Sequence, residues 1–76
     1  MGIIPILTPR QLLVILLQIG FKFIRQKGSH IRLRHYLTGK SVTIALHTKD
    51  LSRKMILKII KQAGISINEF LKLLHK

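Results

Sequence analysis

The spacing of apolar residues changes at Gly20-Phe21, and that change constrains the fold more than any other feature of the chain. Upstream, Leu12, Leu13, Leu16, Leu17 and Ile19 recur at helical intervals. Downstream, apolar and polar residues alternate in three runs: Phe21 to about Arg25, Ser29 to about Tyr36, and Ser41 to Leu46. Gly28 and Gly39 fall in the gaps, so the runs read as strands joined by a turn centred on Lys27-Gly28 and another at Thr38-Gly39-Lys40. The helical period returns after His47. The order is therefore α-β-β-β-α with a short final helix, an α+β arrangement.

Local signals set the helix ends. Thr8 caps the first helix, Pro9 occupies its first position, and Gln11 completes a capping box; Gly20 ends it. Ser52 caps the second helix, Leu51 staples onto Ile56, and Gly64 stops it. Its expected buried stripe is Met55, Ile56, Ile59, Ile60 and Ala63, with Lys54, Lys58 and Lys61 on the solvent side. Ser66 and Glu69 form another capping box, opening a last helix that docks through Phe70, Leu73 and Leu74. On the strands, Ile31, Leu33, Val42, Ile44 and Leu46 share one face, and His30, Arg32, Arg34 and Tyr36 the other. Val14 and Ile15 make the first helix apolar nearly all round, which predicts that one flank meets another protein.

A chain of 76 residues is expected to form one small domain over 1–76, burying roughly 60% of its unfolded surface. An apolar leader, Met1–Leu7, precedes the first helix and invites a signal or membrane reading. Pro5 and Pro9 break the continuous helix that a span needs, and no basic segment precedes the apolar stretch. The balance of 14 Lys and Arg against 2 Asp and Glu gives a net charge of +12, which points to an anionic partner. With only Asp50 and Glu69 as carboxylates, paired-acid catalysis and oxygen-rich metal cages lack their ingredients. The absence of cysteine excludes thiolate chemistry and fits a reducing cytoplasm. No cofactor is expected.

Candidate chemistry gathers at Arg25-Gln26-Lys27-Gly28-Ser29-His30. A histidine just past a tight turn, among cations, pairs a group that gives and takes protons near neutrality with charges that collect phosphate. Spacing alone also allows His30 to be an ordinary surface residue. His47 and His35 are weaker candidates, and His75 lies at the terminus. The Lys54, Lys58, Lys61 row reads either as a solvated helix face or as a nucleic-acid contact. No two histidines have the i, i+4 spacing of a helical metal site.

Several segments together give the chain a recognisable pattern: Gly20-Phe21, the Arg25 to His30 turn, Val42-Thr43-Ile44 before His47, and Leu57 to Ser66. It closely resembles the HicA family of mRNA interferase toxins from about Leu12 to Leu74. The resemblance implies a fold like a double-stranded RNA-binding domain, with helices on one face of a three-stranded antiparallel sheet. It implies mRNA cleavage and a HicB-like antitoxin. The family's catalytic histidine falls on His30, its glycine and serine on Gly28 and Ser29, and its second frequent histidine on His47. Where members often carry proline two positions before that second histidine, this chain has Ala45.

The mechanism these residues suit is cleavage without a metal. His30 takes the ribose 2′-OH proton for in-line attack on phosphorus, and His47 or solvent protonates the leaving oxygen. Lys27, Arg32, Arg34, Lys54 and Lys58 are the expected RNA contacts. Two rivals follow from the same composition: a double-stranded RNA-binding module, which has no need of His30, and a cationic membrane-active peptide, whose helix here lacks a Lys-rich polar face.

Overall fold

The computed structural model describes residues 4–47 and 49–75. Six elements follow in order: α1 (Pro9–Gln18), β1 (Phe21–Lys27), β2 (His30–His35), β3 (Ser41–Ala45), α2 (Arg53–Ala63) and α3 (Ile67–Leu74). The strands form an antiparallel meander in the order β1-β2-β3. The result is an α+β fold like that of a double-stranded RNA-binding domain.

Each helix starts where its cap dictates. Thr8 Oγ1 accepts from the Gln11 N–H at 3.2 Å while Gln11 Oε1 accepts from the Thr8 N–H at 2.9 Å. Ser52 and Ser66 accept from Met55 and Glu69 N–H groups in the same way, and Gly64, at φ 77°, ends α2. At α3 the expected box takes another form, because the Ser66 hydroxyl donates to Glu69 Oε1 at 3.3 Å. Gly28 is the first residue of a two-residue hairpin loop and has φ 60°, the sign such loops require there.

The core lies between the helices and one face of the sheet. Ile31, Leu33, Val42 and Ile44 are buried beneath Leu12, Ile15 and Leu16 of α1, Ile56, Ile59, Ile60 and Ala63 of α2, and Phe70 of α3. Two expectations need correction. In α1 Ile15 is buried whereas Val14 and Leu17 are exposed, so Val14 remains on an open flank and Ile15 does not. Periodicity gives the width of an apolar stripe, but the docking angle sets its centre. Met55 is not core: it lies 43% exposed on the flank of the α2 stripe.

The apolar leader also gains a role. Its first three residues lie outside the described ones, but Ile4 and Leu7 are buried in the core. Leu7 forms an antiparallel bridge with Leu51, whose N–H donates to the Leu7 carbonyl at 2.7 Å, and Arg53 Nε donates to the Ile4 carbonyl at 2.7 Å. No described helix is long and apolar enough to cross a membrane.

Two further details of the sheet escaped the alternation pattern. The β1 to β2 register shifts between Phe23 and Arg25, leaving Ile24 as the extra residue of a bulge. His35 is structural. Its Nδ1 accepts from the Leu37 and Thr38 N–H groups, each at 3.1 Å, so the proton sits on Nε2, which donates to the Ile19 carbonyl at 2.9 Å. The ring thus ties the end of α1 to the β2 to β3 turn, and it packs edge-on against Phe21 with centroids 5.1 Å apart. Only glycine suits the facing position 20: φ is 109°, and a Cβ there would stand 2.8 Å from His35 Nε2.

Candidate active site and cationic sheet face

The sheet has one uncovered face, and its composition is one-sided. Every described residue of β1, β2 and β3 is apolar, polar neutral or basic; no carboxylate occurs in any strand. Register then sets cations against cations. Lys22 lies opposite Arg34 and Arg25 opposite Arg32, while Lys27 faces the imidazole of His30. Like charges directly across a pair of strands repel. This ladder weakens the free protein and is relieved when a polyanion lies along it.

His30 stands at one end of the ladder. It opens β2 immediately after the Gly28-Ser29 turn, and its side chain is exposed. Across to β3 it pairs with Ala45. Leu46 N–H then donates to the Ser29 carbonyl at 2.6 Å, which holds the chain against the turn for one more residue. That contact delivers His47. Its Nδ1 lies 3.1 Å from Ser29 Oγ, and its ring centroid is 5.6 Å from that of His30, the planes inclined at 56°.

Two imidazoles and a hydroxyl therefore meet at the edge of the cationic face, although Ser29 and His47 are 18 residues apart. The chemistry open to them follows from the hydroxyl's two-way hydrogen bonding. When His47 is doubly protonated, Nδ1–H donates to Ser29 and Nε2–H is free to be given away. After that proton leaves, Nδ1–H still donates to Ser29, so no ring flip is needed.

The remaining sequence candidates divide by position. Lys27 lies opposite His30, and Arg32 is two residues along the same face, about 7 Å by the strand rise. Arg32 also lines a groove of about 470 Å³ running over the edge of β3, with Ser41 and Thr43 from that strand and Met55, Lys58 and Gln62 from α2. Lys58 thus joins the site, and exposed Met55 supplies a wall of its groove. Lys54 is exposed on α2 but does not line this groove. Arg34 belongs to the far end of the ladder. Sequence reasoning missed Thr43, Met55 and Gln62, because only the docking of α2 against β3 brings them to Arg32.

Comparison with known proteins agrees with this architecture. No curated protein matches the chain. The family model described as HicA toxin of bacterial toxin-antitoxin matches residues 9–65, which span α1, all three strands, α2 and the Gly28-Ser29-His30 turn. That match covers more than half of the chain, and the protein accordingly belongs to the HicA toxins, one half of a toxin-antitoxin system whose other half is its antitoxin.

Proposed function

We propose that this toxin is a metal-independent endoribonuclease that blocks translation by cutting mRNA. The observation that carries the reading is the His30 and His47 pair, 5.6 Å between ring centroids, at the end of an acid-free cationic sheet face. A module that only binds RNA has no use for two adjacent imidazoles.

His30 acts as general base on the ribose 2′-OH. The 2′ oxygen forms a bond to phosphorus, the bond from phosphorus to the 5′ oxygen breaks, and that oxygen takes a proton from the His47 Nε2 position. The products are a 2′,3′-cyclic phosphate and a 5′-OH end. Ser29 holds His47 through both protonation states. Arg32 and Lys27 offset charge growing on the phosphoryl oxygens, and Lys58 holds the strand across the groove, with Lys54 one turn earlier on α2. Gly28 makes the turn that sets Ser29 and His30 side by side. The chain has only 2 carboxylates and no cysteine, a poor donor set for a catalytic cation.

End-group analysis of cleaved RNA tests the reaction class. Cyclic phosphate and 5′-OH ends are expected; 3′-OH and 5′-phosphate ends would exclude the 2′-OH as nucleophile. In the same assay His47→Ala should slow cleavage by about 10²-fold, the lower part of the range for acid-base groups. It should also remove the loss of rate at high pH that an acid must cause. An unchanged rate and profile would return the proton donation to solvent.

The partner that the family implies is, in this reading, an acidic HicB-like antitoxin lying over the His30 and Arg32 face. Charge complementarity to a +12 protein favours fast association, and exposed Val14 offers apolar area on α1. Antitoxin and RNA should compete in a titration. A ternary complex of full stoichiometry would show that inhibition does not work by covering the site.

A further inference from the structure

The ladder has a second end, and the residues gathered there differ in kind from those around His30. Lys22, Ile24, Arg34, His35 and Tyr36 line a hollow of about 260 Å³. Tyr36 is 77% exposed, and Lys22 Nζ stands 5.1 Å from the centre of its ring. Arg34 lies directly opposite Lys22 in the register. Ile24, two residues on from Lys22 and so on the same face of β1, supplies the apolar wall at 50% exposure.

An open aromatic ring, an exposed aliphatic side chain and two cations in one shallow hollow match the two halves of a nucleotide. The base stacks on the ring and the phosphate meets the cations. A duplex keeps its base faces stacked inside the helix, so only an unpaired base can use such a platform. The hollow is also correctly placed. From His30 to Arg34 is four residues along one face of β2, about 13 Å at the strand rise, so a strand lying on the ladder would reach both ends.

We propose that Tyr36, Lys22, Arg34 and Ile24 form a subsite for one unpaired nucleotide a short distance from the scissile bond, and that the substrate is single-stranded RNA laid across the uncovered sheet face. This rests on the ribonuclease reading above and adds the strandedness of the substrate and its path along β2. Lys22 and Arg34, held opposite one another, fix the phosphate; Tyr36 and Ile24 hold the base. Lys22 is released from the Tyr36 ring as the base replaces it.

Binding of labelled single-stranded RNA to the His30→Ala protein tests this without consuming the probe. Tyr36→Ala should weaken binding by about tenfold, the scale of one lost base stack, while Tyr36→Phe stays within about twofold of the parent. A set of oligonucleotides carrying one abasic residue at successive positions should reveal one position where base removal costs the same as Tyr36→Ala and the two losses do not add. Fully duplex RNA should show no Tyr36 dependence. Unchanged affinity in Tyr36→Ala, or a loss that persists with every abasic oligonucleotide, would overturn the subsite and leave the hollow to a protein partner. Parallel cleavage assays with the unmodified toxin separate the two failures. His30-dependent cleavage without a Tyr36 effect sinks only the subsite, whereas absence of any cleavage sinks the ribonuclease reading.

Discussion

His30→Ala should yield a folded protein that no longer arrests growth when induced and cleaves RNA about 10²- to 10⁴-fold more slowly, the range over which a positioned base accelerates proton transfer. The fold should survive because the His30 side chain is exposed at the start of β2, and exposed positions without special backbone geometry change stability by only about 0.5 kcal/mol. The variant is accordingly expected to unfold at the parent's urea concentration. The informative comparison is with Arg32→Ala. Loss of Arg32 should weaken binding and transition-state stabilisation together, whereas loss of His30 should act on turnover. A His30→Ala protein that unfolds at the parent's urea concentration and remains equally toxic would remove His30 from the chemistry.

A single 2′-deoxy sugar on the 5′ side of the cut should abolish cleavage at that bond altogether, while neighbouring sites continue to react. The nucleophile belongs to the substrate in this mechanism, so its removal leaves the two histidines with no oxygen to activate. Excess EDTA should leave the rate on unmodified RNA unchanged. Both results follow from the side chains present: two histidines that meet in space, and only two carboxylates in 76 residues, neither of them on a strand. Cleavage that stops with chelator and resumes with magnesium, or that continues through the deoxy position, would require a different reaction.

The features that sequence reading recovers are those controlled by a few consecutive residues. Thr8, Ser52 and Ser66 cap their helices because a hydroxyl three residues ahead of an unpaired N–H satisfies it in any context. Gly28 and Gly64 mark turns because a positive φ excludes nearly every other residue. Alternation likewise placed Ile31, Leu33, Val42 and Ile44 on the covered face and His30, Arg32 and Arg34 on the open one, since successive side chains on a strand must point oppositely. The Gly28-Ser29-His30 motif was legible for the same reason.

What escaped that reading depends on residues distant along the chain. Ser29 meets His47 only because β3 pairs with β2 in a register that sets Ala45 against His30, and alternation leaves register open. His35 is a tie between α1 and a turn rather than a free surface histidine, because its hydrogen bonds reach back 16 residues to Ile19. Met55 and Ile15 exchanged their expected environments because a helix's period defines a stripe while its docking angle chooses which edge of the stripe is covered. The bulge at Ile24 is invisible to a strict two-residue period, yet it turns Arg25 and Lys27 from the covered face to the open one, opposite Arg32 and His30. Local hydrogen bonding and backbone sterics thus settle where elements begin, end and face, and the pairing of distant segments decides which of the exposed groups become a site.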